Sequence, residues 1–188
     1  MTLQRTIERA WHAEGGSRLS AWLRPVSALY GLGRALHQEL YRRRLRSRVR
    51  LPSCVVSVGN LVAGGVGKSP FCRWLAQALT ERGHSVLILA RGYGRARGAA
   101  WNDEGAWLAA ELPGVRVVQD PDRARVGAAA LREAAADVVL LDDGFQHERL
   151  ARDVDVVLVD AAAPFGNGRL LPAGPLREAP TALRRAHF

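Results

Sequence analysis

The residues best suited to chemistry are Gly67-Lys68-Ser69, which close a glycine-rich loop at the point where a helix-patterned segment begins. The loop follows the apolar run CVVSV (Cys54–Val58) and carries Gly59, Gly64, Gly65 and Gly67. A strand, a glycine-rich turn and a helix start ending in Lys-Ser form the layout of a phosphate-binding loop. Glycines let backbone N–H groups face phosphate oxygens, the helix N-terminus adds its positive end, lysine reaches the β/γ-phosphates and the hydroxyl ligates Mg²⁺. The candidate nucleotide contacts are therefore Val62, Ala63, Gly64, Gly65, Val66, Gly67, Lys68 and Ser69, with Ser69 also a metal ligand. Lys68 is the only lysine in the chain, every other basic side chain apart from histidine being arginine. The strict pattern G-x-x-x-x-G-K-[ST] would place a glycine where Val62 stands, so a glycine-rich turn before an ordinary helix is the competing reading.

A second cluster supports the first. VVLLDDGFQHERL (Val138–Leu150) is an apolar strand that ends in two carboxylates. A strand-end aspartate beside a phosphate loop holds Mg²⁺ directly or through water, which assigns Asp142 to the metal. Asp143 alternates to the other side, toward a γ-phosphate or an acceptor. The competing reading is a helix cap and turn. His147 lies close by, though taken alone it reads as a surface or hydrogen-bonding histidine. ARGYGR (Ala90–Arg95) ends another strand, where Arg91 and Arg95 could face an anion or simply flank a turn. WNDEGAWL (Trp101–Leu108) puts Asp103 and Glu104 in a polar loop that reads as a solvated turn or helix start. FGNGRLLPAGPLRE (Phe165–Glu178) reads as an ordered loop over the site, carrying Arg169 and Arg177.

These clusters sit where an α/β fold would put them. Strands are expected at Cys54–Val58, Val86–Ala90, Val115–Val118, Val138–Leu141 and Val156–Val159. Helices are expected at Pro70–Arg82 and Asp122–Ala136, the second opening on the cap-like Asp120–Arg123. Continuous Val/Leu runs alternating with helices imply a mostly parallel sheet with helices on both faces, and ligands in such sheets bind at the carboxyl ends of the strands. Residues 1–50 differ: Trp22, Val26, Leu29, Leu36 and Leu40 recur at helical spacing before the arginine cluster Tyr41–Arg50. That is the pattern of an amphipathic helix at an anionic membrane, or of a helix packed on its own domain with a basic edge. The expected organisation is an N-terminal amphipathic, Arg-rich segment at 1–50 and a P-loop core at 51–188.

With 188 residues and 48% apolar content the chain can bury a core, and a formal charge of +9 calls for an anionic partner. No nucleic-acid motif is present. No signal-peptide pattern and no apolar run of membrane-spanning length occur, so a peripheral protein is expected. Cys54 and Cys72 lack metal-ligand spacing and read as buried, reduced thiols.

Taken in order, VGNLVAGGVGKSP, RGYG, DDGFQH and FGNGRLLPAGPLRE resemble the tetraacyldisaccharide 4′-kinase family, the lipid A 4′-kinases of Gram-negative bacteria. The resemblance covers essentially the whole chain. It implies a P-loop NTPase-like fold that uses ATP and Mg²⁺ to phosphorylate the 4′-hydroxyl of a lipid-linked glucosamine disaccharide 1-phosphate. The family works at the cytoplasmic face of the inner membrane. Carried over by motif, Lys68 and Ser69 serve phosphate and Mg²⁺, Asp142 and Asp143 the metal and active site, and Asp103 the catalytic base. The catalytic set is then Asp103, Asp143 and Lys68, with Arg91, Tyr93, His147 and Arg169 as candidate substrate contacts. The family's Gly-Asp-Glu-Pro segment reads Asn102-Asp103-Glu104-Gly105 here. The chain stops at LRRAHF, where the family commonly continues, and is expected to be its N-terminal half or somewhat more. Two other readings stay open, a regulatory or partitioning P-loop NTPase and a non-catalytic membrane-associated remnant. A GTPase of the N-K-x-D type is excluded, because Lys68 is the only lysine.

Overall fold

The computed structural model describes residue 11, residues 18–94, 96 and 98–188, with backbone alone at 18 and 19. Arg95, and most of the stretch read for a signal peptide, lie outside the described residues. The chain divides into two compact units, neither of them one continuous stretch. The first comprises the described residues of Met1–Arg46 together with Asn60–Val66 and Val159–Arg185. The second comprises Ser47–Gly59, Gly67–Leu158 and Ala186–Phe188.

The second unit carries the sheet. Its strands are β1 (Cys54–Asn60, whose last residue passes into the first unit), β2 (Val86–Ala90), β3 (Arg116–Gln119), β4 (Val138–Asp142) and β5 (Val154–Leu158). They lie in the order β3-β2-β4-β1-β5. The pairs β1/β4, β2/β4 and β2/β3 are parallel, with Val58 opposite Asp142. The sheet therefore brings the ends of β1 and β4 side by side, although many residues separate them in sequence.

The alternation within each strand explains why helices cover both faces. Leu87, Leu89, Val139 and Leu141 pack with Ala124 and Ala130 of α5 (Arg123–Glu133). Val86, Ile88, Val138 and Leu140 pack instead with Ala76 of α3 (Lys68–Thr80) and with Leu108 of α4 (Asp103–Glu111). A strand buried on both sides needs apolar residues at every position, and β2 and β4 are buried throughout. The sequence Asp120–Arg123 does cap α5: the Asp122 side chain accepts a hydrogen bond from the Arg125 N–H. Cys72 is buried as expected, but Cys54 is exposed. It opens β1 before burial begins, the positions from Val55 onward being buried or half-buried.

The first unit is built around α1 (Arg18–Trp22) and α2 (Arg24–Arg42). Its polar residues face inward. The Ser27 hydroxyl donates to the Leu170 carbonyl (2.9 Å) and accepts from the Ala173 N–H (2.9 Å). One helical turn on, the Tyr30 hydroxyl donates to the Arg177 carbonyl (3.0 Å). Beyond that, Arg34 pairs with buried Glu178 (2.7 Å), which also accepts from Gln38 and Arg185. The apolar stripe points the other way, with Trp22, Val26, Leu29, Leu32 and Leu36 all exposed. The helix does pack on its own unit, as one of its two readings has it, but through its polar side, with the apolar stripe left exposed. No helix among them is long and apolar enough to cross a membrane.

Candidate active site

The loop between β1 and α3 is held at its start by the first unit. The Leu61 carbonyl accepts from the Arg177 N–H (2.7 Å), and Val62 bridges Leu176. The Ala63 N–H donates to the Pro175 carbonyl (2.7 Å), which commits that amide to the protein itself. Gly64 and Gly65 are exposed, and Val66 is the last residue before the chain enters the second unit. Gly67 then takes a left-handed conformation (φ 79°) and starts α3, its carbonyl accepting from the Phe71 N–H. Any residue with a Cβ would be strained there. The helix thus begins at Lys68, directing its N-terminal end and the two reactive side chains to one place.

In the second unit, Lys68 Nζ lies 3.6 Å from Asp143 Oδ1. The Ser69 hydroxyl faces two carboxylates: it lies against Glu104 Oε1 and 3.2 Å from Asp142 Oδ2. One hydroxyl proton cannot satisfy both acceptors at once, so two anions are left facing each other across Ser69. Asp142 Oδ1 is also buried and has no hydrogen-bond partner among the described residues. Burial foremost, and then the neighbouring Glu104 charge, push the Asp142 carboxyl up to about 6. A hydroxyl, an under-partnered buried carboxylate and a second carboxylate are the donor set a hard divalent cation accepts, and Mg²⁺ completes its shell with phosphate and water. Among the described residues no group of three or more His, Cys, Asp or Glu could hold a metal alone.

The backbone after β4 is fixed from two sides. Asp143 has φ 52°, a left-handed conformation that Asp tolerates better than most residues. The Gly144 N–H donates to the Val58 carbonyl (3.0 Å). Phe145 packs so closely that a Cβ on Gly59 would lie 2.5 Å from its own Cβ. From the other side, buried Arg123 donates to the carbonyls of Asp142 (3.1 Å) and Asp143 (3.0 Å). Burial lowers the Arg123 guanidinium to about 10, still charged at neutral pH.

The remaining expected residues divide. Asp103 is exposed as the first residue of α4, while the next residue, Glu104, reaches Ser69. His147 is half-buried, and burial followed by the charges of Arg123, Arg152 and Arg149 depresses its imidazole to about 3, so it is neutral at physiological pH. Arg91 and Tyr93 are exposed. Arg169 belongs to the first unit, where it donates to the Ser20 hydroxyl (2.9 Å). Sequence reasoning gave no role to Glu104 and read Arg123 only as part of a helix cap. The signal for Glu104 was its place in the first turn of a capped helix; Arg123 gave none, because its partners are backbone carbonyls.

The family model for tetraacyldisaccharide-1-P 4′-kinase (LpxK) matches residues 19–188. The chain belongs to this family. It is 45% identical over 199 residues to the tetraacyldisaccharide 4′-kinase of Anaeromyxobacter dehalogenans, covering 96% of this chain and 53% of that protein. It is 41% identical to the enzyme of the same name from Syntrophus aciditrophicus, over 99% of this chain and 55% of that one. The chain thus spans about half the length of the curated relatives it matches. Its fold is that of a crystal structure of LpxK from Aquifex aeolicus in complex with ATP, at a TM-score of 0.79 and 38% identity, covering 89% of this chain and 57% of that one.

Proposed function

We propose that this chain carries the nucleotide- and metal-holding part of a tetraacyldisaccharide 4′-kinase, which transfers the ATP γ-phosphate to the 4′-hydroxyl of a lipid-linked disaccharide 1-phosphate. The observation that carries this reading is Ser69 set between Asp142 and Glu104 at the N-terminus of α3, with Lys68 beside it. Gly67 and the α3 N-terminus bind the phosphates, and Lys68 leaves Asp143 to meet their charge. Ser69 and Asp142 hold Mg²⁺ with Glu104 alongside; the ion supplies neutralisation of charge on the phosphate oxygens. Asp103 takes the proton of the acceptor hydroxyl, Asp143 orients the reacting groups, and Arg91, Tyr93, His147 and Arg169 are the candidate substrate contacts. Phosphoryl transfer asks for little else, being mostly positioning and electrostatics. The test is release of ADP by the protein supplied with Mg-ATP and a tetraacyldisaccharide 1-phosphate. Release that requires both acceptor and Mg²⁺ is expected. Hydrolysis at the same rate without acceptor would instead place the chain among regulatory NTPases.

The acceptor is a lipid, and α2 supports a membrane role. Its polar side is bonded to its own unit while Val26, Leu29, Leu32 and Leu36 are exposed, as are Arg44 and Arg46. We infer that this stripe lies in the headgroup region of the anionic inner membrane, on its cytoplasmic face. Because these leucines are mostly exposed, replacing one with serine should spare the fold. Each loss of about 1.5 kcal/mol of apolar burial should weaken vesicle binding about tenfold. Co-sedimentation with phosphatidylglycerol vesicles at rising salt reads both parts, since the arginine contribution is screened and the leucine contribution is not. Unchanged binding by Leu29→Ser and Leu36→Ser together would remove α2 as the anchor.

A further inference from the structure

The second unit holds a second polar cluster, to which the sequence reading gave no part. The Asn102 N–H donates to Gln119 Oε1 (2.9 Å), and Gln119 Nε2 donates back to Asn102 Oδ1 (2.8 Å). The same Asn102 oxygen accepts from the Gly105 N–H (2.9 Å) and so caps α4. Its amide nitrogen donates to the Tyr93 carbonyl (2.8 Å). Gln119 is the buried last residue of β3, so the whole cluster is anchored to the sheet. The indole of Trp101, the residue before the cap, donates to the Val117 carbonyl (2.9 Å) on the same strand.

Steric fit repeats the hydrogen-bond pattern. A Cβ on Gly105 would lie 2.3 Å from Gln119 Nε2, and one on Gly92 would lie 3.0 Å from Gln119 Cβ. The two departures from the Gly-Asp-Glu-Pro pattern, Asn102 and Gly105, are thus the residues this arrangement requires. Asn102 supplies the cap and three further bonds, and Gly105 leaves room for the glutamine amide.

We propose that Asn102 and Gln119 are a positioning pair that sets where α4 starts, and with it where Glu104 meets Ser69, while tying the Gly92–Gly94 turn to the same anchor. Glu104 is the second residue of α4, so the cap decides the direction of its carboxylate. A helix free to begin one residue earlier or later would swing that carboxylate away from Ser69, because successive residues lie about 100° apart around the axis. Neither Asn102 nor Gln119 is assigned a contact with substrate. Their effect passes through Glu104, and the proposal rests on reading Ser69, Glu104 and Asp142 as the Mg²⁺ site.

The test uses the 188-residue chain, a fluorescent ATP analogue with and without Mg²⁺, and amide hydrogen exchange at Gly105. Gln119→Ala should lower the Mg²⁺-dependent gain in affinity about tenfold, leave Mg²⁺-free affinity within about twofold, and speed Gly105 exchange about tenfold or more. Asn102→Asp keeps the cap oxygen and the bond from Gln119, and should retain both the Mg²⁺-dependent gain and slow Gly105 exchange. Gly105→Ala should resemble Gln119→Ala, and the double variant should be no worse than either alone, since the pair is broken only once. Should Gln119→Ala fail to fold, Asn102→Ala removes the bond from Gln119 Nε2 together with the cap on Gly105, and keeps the backbone N–H bond to Gln119 Oε1. It should show the same loss of Mg²⁺-dependent gain with faster Gly105 exchange. Equal loss of affinity with and without Mg²⁺ would mark the pair as merely structural and overturn the proposal. If Lys68→Ala binds the analogue as tightly as the wild type, the phosphate-site reading fails separately. The pair is then judged on exchange alone, where unchanged protection of Gly105 in Gln119→Ala overturns it.

Discussion

Asp142→Asn should make the free protein more stable at pH 7 while removing the Mg²⁺-dependent part of its ATP affinity. The carboxyl is buried, one oxygen lacks a partner among the described residues, and Glu104 lies on the far side of Ser69. Folding therefore favours the protonated acid, whose pKa rises from 3.8 to about 6. For an acid shifted upward, the native state holds more protons than the unfolded chain between those two values, so the contribution of Asp142 to stability falls as pH rises from about 4 to about 6. A shift of about two units corresponds to at most about 3 kcal/mol lost by pH 7. The asparagine variant carries no such charge. Its melting temperature should match the wild type near pH 3.5 and exceed it by several degrees at pH 7, since about 1 kcal/mol moves a domain of this size by about 2–4 °C. Calorimetry across that range, with ATP titrations in Mg²⁺ and in EDTA, reads both halves. The depressed His147 imidazole contributes the opposite slope in both proteins, so the difference between wild type and variant is the reading. A difference flat between about pH 4 and 6 would mean that the Asp142 carboxylate is not strained by burial. Retained Mg²⁺ dependence in the variant would mean that the metal is held elsewhere.

That opposition between stability and binding bears on what could be read from the sequence. The centre of the sheet was legible because β2 and β4 lie between two helical layers: Val138–Leu141 has no polar position, and only a doubly covered strand tolerates that. Gly67-Lys68-Ser69 and Asp142 were legible because each sits at a strand end or helix start whose chemistry is fixed by local spacing. The direction of α2 was not. Helical periodicity reports that one face is apolar, but not whether that face looks at the protein or away from it. Only the bonds from Ser27, Tyr30 and Arg34 to the segment 170–178 decide the question. Glu104 and the Asn102–Gln119 pair were hidden for a different reason. Their partners lie 35 and 17 positions away, and polar side chains that bond across loops leave no periodic trace.

Lys68→Ala should lower ATP affinity about tenfold to a hundredfold and change the stability of the fold by less than about 1 kcal/mol. The first figure follows from the roughly 1.5–3 kcal/mol of a hydrogen bond to a charged group. The second follows from the weakness of its pair with Asp143, which spans 3.6 Å with the Asp143 side chain about one-third exposed (34%). Because Lys68 is the only lysine, the residue can also be followed without mutation. An amine-reactive acetylating reagent has two targets in the chain, Lys68 and the α-amino group, which separate as different peptides. Lys68 is only 12% exposed but sits at an open helix start, so it should acetylate slowly. Mg-ATP should slow it further, by the factor expected from site occupancy, while the α-amino group reacts unchanged. Acetylation in turn removes the charge and should reproduce the affinity loss of Lys68→Ala in the unmutated protein. If saturating ATP leaves the Lys68 rate unaltered, the side chain does not meet the phosphates, and the loop binds anions, if at all, through its backbone alone.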